Sequence, residues 1–325
     1  MHQNKIPEGD RIYDLFTGVY KPQVIRLALE LDVFSPLAQA PANADQVARA
    51  CHGEVTGIHH LLDYLSSLHV LEKNADEYCL SPEATTFLVR GNKSYVGDLI
   101  IDFTGPRPWE SIRQSIRSGN PCKIDLEIHF VQDAWIESYR ASRITGSLEM
   151  WSKAGILPES FTRLEILDIA CGCAIKSLAL VREFTNVELT CLDSPLVLQV
   201  AQDLAKRWGL TSRVQFSPGD LLTADLGEGC FDACLVGQIS HYLTPEQNND
   251  LFRRIHRALV SGGVLLLDVP MSSEEITEES SFLSLLLWAN SGGRAYSFKE
   301  YQSWLVANDF TRVLQLGERL LTAVC

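Results

Sequence analysis

The run Leu167-Asp168-Ile169-Ala170-Cys171-Gly172-Cys173-Ala174 decides the fold. It closes the apolar stretch RLEILDIA with a turn built only of small residues, so that another molecule can come close to the backbone there. The same texture returns downstream. NVELTCLD ends at Asp193, RVQF precedes Gly219-Asp220, FDACLVG opens at Phe231-Asp232, and Ser261-Gly262-Gly263 leads into GGVLLLDVP. Helical patterns over 195–208 and 245–259 lie between them, each with Pro near the first turn, where its missing N–H costs little. Strands rich in Val, Ile and Leu that alternate with helices predict a parallel sheet covered on both faces. The tail TRVLQLGERLLTAVC, turning at Gly317-Glu318, predicts a closing hairpin. The expected second half is therefore an α/β domain of seven strands, the last one antiparallel.

Upstream of about residue 160 the texture is helical. Ile12, Leu15, Phe16, Val19, Ile25 and Leu29 follow helical period, and Asn43 can cap a short helix. Ile58, Leu61, Leu62, Leu65 and Leu68 share one face of another helix, and 71–81 reads as a small hairpin. Helix, helix, hairpin is the order of a winged helix. Its second helix offers His59, His60 and Asp63 rather than a row of Arg and Lys, which favours a scaffold or dimerisation module over DNA binding. Ile12, Phe16, Val19, Ile25 and Leu29 exceed what one small winged helix buries internally, so a homodimer is expected. The expected domains are 1–100, a helical linker over 101–160, and 161–325.

Composition narrows the partners. The chain has 325 residues, room for about two domains. Hydrophobic residues make up 46% and charged residues 21%, a globular balance. With 28 Lys+Arg against 41 Asp+Glu the net charge is −13, which opposes nucleic acid and anionic membrane surfaces alike. The nine Cys form no CxxC pair and no zinc spacing, so no metal is expected. No signal-type leader or membrane-length apolar run occurs. A cytoplasmic protein with reduced thiols that acts on small molecules is the expectation.

In a doubly wound sheet the chemistry sits at the carboxyl ends of the strands. Asp193 stands 21 residues after Gly172, where an acid can hold both ribose hydroxyls, and Gly219-Asp220 can reach an adenine edge. A dinucleotide site would want G-x-G-x-x-G to seat a pyrophosphate. Only Gly172 is a glycine here, which suits a ligand without a diphosphate.

On these residues the second half resembles class I S-adenosylmethionine-dependent methyltransferases. From about residue 10 onward the chain resembles the small-molecule O-methyltransferases with an N-terminal winged-helix dimerisation domain. The resemblance implies S-adenosylmethionine as cofactor, with Asp168, Ala170 and Gly172 around its methionine part and Asp193 with Ser194 at the ribose. It also implies Gly219, Asp220 and Leu221 at the adenine, and Gly237 and Gln238 beside the cofactor at the end of the fourth strand. The alternative for Asp168 is a structural acid capping the loop. Ala170 and Cys171 stand where the family usually has Gly.

The acceptor side departs further. Plant members use a His after the fourth strand as general base and a later acid to orient it. Alignment of LVGQISHYLTP puts Ser240 at the base position and His241 one residue later, and Ala295 falls where the acid would stand. Ser is no base near neutral pH without an activator, and Ala orients nothing. Catalytic candidates are therefore His241 and Ser240, with weight shifted toward a carbon or pre-activated acceptor. Phe103, Trp109, Trp135, Tyr139, Arg143, Phe282, Leu286, Trp288 and Asn290 are the candidate lining of an apolar, aromatic-accepting pocket. An O-methyltransferase using His241, a non-methylating cyclase on the same fold, and a DNA-binding regulator remain as rival readings.

Overall fold

The computed structural model describes residues 10–122, 126–140, 142–272 and 278–325. Residues 1–9 of the expected first domain lie outside them. The chain divides between Pro108 and Trp109 into two compact units. Helices Glu127–Glu137 and Ser142–Lys153, read from sequence as part of a linker, contribute Trp135, Met150 and Trp151 to the core of the second unit.

In the first unit the expected long helix breaks at Gly18 into Asp10–Thr17 and Tyr20–Glu30. Helix Ala44–Ala50 is fixed by a capping box between Asn43 and Gln46, and helix Val55–Ser67 buries Ile58, Leu61, Leu62 and Leu65. Strands Leu71–Asn74 and Glu77–Leu80 form the hairpin, which Ala42–Asn43 joins as a third, antiparallel strand. Leu29 packs inside this unit's own core, so it leaves the expected interface set. Ile12, Phe16 and Val19 stay exposed, at 66%, 53% and 47%.

The second unit is built on seven strands: β1 Leu164–Ile169, β2 Val187–Asp193, β3 Val214–Pro218, β4 Phe231–Gly237, β5 Leu259–Asp268, β6 Thr311–Gln315 and β7 Leu320–Val324. Their order is 3-2-1-4-5-7-6, with β7 antiparallel to both neighbours and the β1–β5 pairs parallel. The order reverses between β1 and β4, which places a crevice at their carboxyl ends. Alternation sorts β1 cleanly: Leu164 and Ile166 enter one face's core, Leu167 and Ile169 the other's. Helices Ile175–Glu183 and Pro195–Arg207 cover the first face, and Pro245–Ala258 and Phe298–Ala307 the second. The two prolines open their helices as the sequence predicts, behind Ser194 and Thr244 as N-caps. Among the described residues no helix is long and apolar enough to cross a membrane.

Candidate functional site

Register brings the candidate residues to one edge. Ile169 pairs with Leu192 and Val236, and Gly237 pairs with Asp268, so the carboxyl ends of β1, β2, β4 and β5 line up. The turn after β1 is left-handed at Ala170 (φ 52°), Gly172 (φ 58°) and Ala174 (φ 53°). An L-residue in that region costs roughly 1–2 kcal/mol, so the two alanines hold strain that glycine would not. Strain kept at a ligand loop is a mark of function.

Asp193 ties this loop to β2. Its Oδ2 accepts from Gly172 N at 2.9 Å and its Oδ1 from Ser194 N at 2.7 Å. A carboxylate offers about four acceptor positions, so two remain after these bonds. Burial pushes its carboxyl up, against the pull of the two N–H groups. Asp168 is buried on β1 and accepts from Ser177 Oγ at 2.6 Å, and burial drives its carboxyl up to about 7. Asp220 begins the loop after β3, where its Oδ1 accepts from Leu222 N at 2.9 Å. Gly219 N bonds Asp193 O at 3.0 Å, and a Cβ there would press to 3.3 Å on Leu192 and Ala224.

The turn after β4 holds both catalytic candidates. Ser240 is fully buried; its Oγ donates to Asn248 Oδ1 at 2.5 Å and lies 3.1 Å from the Tyr301 hydroxyl. With its hydroxyl engaged inside the core, Ser240 braces the turn and is withdrawn as a catalytic candidate. His241 is buried, and its Nδ1 has no hydrogen-bond partner among the described residues. Burial, helped by Arg319 and opposed by Asp268, takes its imidazole down to about 3. Ala295 is buried and offers no acid, as the sequence implies. Gln238 (φ 60°) turns its amide onto Asp268, while its Oε1 accepts from Arg319 at 2.7 Å. That side chain is a wall brace rather than an open donor.

The pocket candidates are spread over both units. A cavity of about 260 Å³ is lined by Arg140, Arg143, Ser147, Met150, Lys176 and Asp268, with Gly146 and Leu320 completing it. Of the nine expected lining residues, Arg143 is in this wall. Trp109 meets Phe282 at 6.1 Å between ring centroids, both about half exposed. Trp135 is buried in the core, and Tyr139 carries the Arg207 guanidinium over its ring. Phe103 belongs to the first unit. Leu286 and Trp288 are half-buried on helix Glu278–Ser291, and Asn290 is buried with its Oδ1 unpartnered among the described residues. Lys176 and Asp268 were missed from sequence, although Asp268 ends a strand just as Asp193 does.

Residues 166–263 match the methyltransferase domain family, and residues 13–90 match the O-methyltransferase dimerisation domain. The tetracenomycin polyketide synthesis 8-O-methyl transferase TcmO of Streptomyces glaucescens is 29% identical over 94% of this chain and 92% of its own. The chain belongs to the S-adenosylmethionine-dependent methyltransferases. The N,N-dimethyltransferase OxyT of Streptomyces rimosus is 26% identical to this methyltransferase, over 98% of this chain and 97% of the relative. In fold it matches PigF, solved with SAH, at a TM-score of 0.74 with 20% identity over 98% and 99% of the two chains. S-Adenosylmethionine is the methyltransferase's cofactor. The loop fits such a group: a Cβ on Gly172 would meet nothing within 4 Å, and Asp193 keeps acceptor capacity beside it.

Proposed function

We propose that this methyltransferase alkylates a small, planar aromatic metabolite at a carbon or a pre-ionised heteroatom, without an imidazole base. The observation that carries the reading is His241. A His base needs a pKa near working pH and a partner that orients it. Here the ring is buried, has lost most of its basicity, and finds neither a hydrogen bond on Nδ1 among the described residues nor an acid at position 295. The related TcmO and OxyT, by name an O- and an N-methylating enzyme, support acceptor chemistry that varies on one scaffold.

In this reading Asp193 holds the ribose hydroxyls, the 170–174 turn and Asp168 frame the methionine part, and Asp220 with Leu221 flanks the adenine. The cofactor supplies an electrophilic methyl group on a sulfonium. The protein's task is to hold the acceptor in line with it, and positioning of this kind accounts for much of the acceleration. Incubation with methyl-labelled cofactor and a panel of aromatic metabolites, followed by locating the label, tests the reading. In the same assay His241→Ala should lower turnover about tenfold or less, through lost packing. A loss of the 10²- to 10⁴-fold size usual for a general base, with both affinities unchanged, would instead make His241 the base of an ordinary O-methyltransferase.

The dimerisation-domain match supports self-association, and we place the contact on the first helix. Ile12, Leu15 and Phe16 are each more than half exposed there, an apolar row that water disfavours. Sedimentation should show a dimer at micromolar concentration, and Phe16→Asp should shift it toward monomer. A wild-type monomer would remove the assignment.

A further inference from the structure

We propose that the cavity at the carboxyl edge of β5 receives the methyl acceptor as an oxyanion, an ionised phenol or enol, held by Lys176, Arg143 and Arg140. The proposal rests on the base-independent reading above and supplies what that reading lacks, a way to ionise the acceptor.

The first support is charge. In a chain of net charge −13, three cations line one cavity, and a fourth, Arg319, stands behind Asp268. Arg140 and Arg143 share a single carboxylate, Glu137, at 2.5 and 2.8 Å. Lys176 pairs with Asp268, which also has Arg319 at 4.0 Å. Asp133 is the third acid near the arginines, and burial pushes its carboxyl up. Positive charge is left over, and so are donors. Arg143 spends Nε and Nη2 on Glu137 and keeps Nη1, while an ammonium has three N–H groups and Lys176 commits one to Asp268.

The second support is the position of Lys176. It lies in the first turn of helix Ile175–Glu183, the end where the helix dipole disfavours a cation. The half-buried site also desolvates the ammonium, whose side chain is 17% exposed. Local stability does not explain a lysine there. Trp151 Nε1 nonetheless anchors that turn by donating to Lys176 O at 3.0 Å, and Gly237 leaves space above β4, where a Cβ would lie 3.5 Å from Lys176 Nζ. The ammonium is therefore held at the point where the ends of β4 and β5 meet.

Opposite charge within a few ångströms favours the ionised form of an acid. A phenol or enol bound here gives its proton to water on entry. The oxyanion then takes the methyl group in line: the C–O bond forms as the C–S bond breaks, the electron pair stays on sulfur, and the sulfonium charge is neutralised. No proton moves in that step, so no base is required.

The test uses the full chain saturated with S-adenosylhomocysteine and 4-nitrophenol as probe, whose phenolate is read by its absorbance. The apparent pKa of the bound probe should fall by about one unit or more from its free value. Lys176→Met and, separately, Arg143→Gln should each reverse much of that fall, and Lys176→Arg should preserve it. Calorimetry should give S-adenosylhomocysteine affinities within about threefold of wild type for all three variants. No binding at millimolar probe, or an unshifted bound pKa, overturns the proposal. A tenfold loss of S-adenosylhomocysteine affinity also overturns it, because the cations would then serve the cofactor's carboxylate. The methyl-transfer reading fails separately, by absence of labelled product while the bound probe still ionises.

Discussion

Asp193→Ala should weaken S-adenosylhomocysteine binding about 30- to 150-fold, or 2–3 kcal/mol, since a hydrogen bond to a charged group is worth roughly 1.5–3 kcal/mol. Two effects combine in that loss. The carboxylate offers acceptors to a ribose, and it also fixes the loop through Gly172 N and the helix start through Ser194 N. An analogue lacking both ribose hydroxyls separates them, because it should lose much less on substitution than the parent compound. Equal losses for both ligands would confine Asp193 to holding the loop. Asp232→Ala is the control. Its carboxylate accepts from Glu165 N at 2.9 Å at the amino end of the sheet, so it should cost stability and leave cofactor affinity unchanged.

The second large effect concerns pH. Burial raises Asp168 from 3.8 to about 7. A carboxyl whose folded pKa exceeds its unfolded one binds its proton more tightly in the native state. Its stabilising contribution is therefore complete below pH 3.8, declines as pH rises, and is gone above about 7. At about 1.4 kcal/mol per pH unit the whole swing is about 4 kcal/mol at most. Asp168→Asn removes the titration while its amide oxygen still accepts from Ser177 Oγ. The unfolding free energy of the variant minus that of wild type, from urea curves, should accordingly climb between pH 4 and 7 and level off above. Parallel curves across that window would show that Asp168 does not titrate there.

Much of this protein was legible in one dimension. Strand-forming runs ending in small or acidic residues, with helices between, determine a parallel sheet, because buried strands must be apolar on both faces and crossovers need helices. The same logic marks Asp168, Asp193 and Asp220, which stand one residue before, at, and two residues beyond the carboxyl ends of β1, β2 and β3, and parallel strands bring those ends to one edge. The helix starts at Pro195 and Pro245 followed from local backbone chemistry. The first helix was legible as apolar, but its break at Gly18 and the burial of Leu29 within its own unit were not.

Only tertiary structure shows the surroundings of the candidates after β4. Position 240 could be aligned with a base, yet only packing shows its hydroxyl engaged with Asn248 and close to Tyr301. His241 was visible as an imidazole, but the loss of its basicity comes from surroundings contributed by residues remote in sequence. Aromatic residues at helical spacing suggest a pocket, and the cavity found at the end of β5 draws its cations from two other segments. Arg140, Arg143 and Lys176 are brought to Asp268, which stands 92 residues beyond Lys176. Sequence periodicity reports which face of an element is buried. It carries no information on which distant side chains will share one cavity, because that juxtaposition is made by packing between elements far apart in the chain.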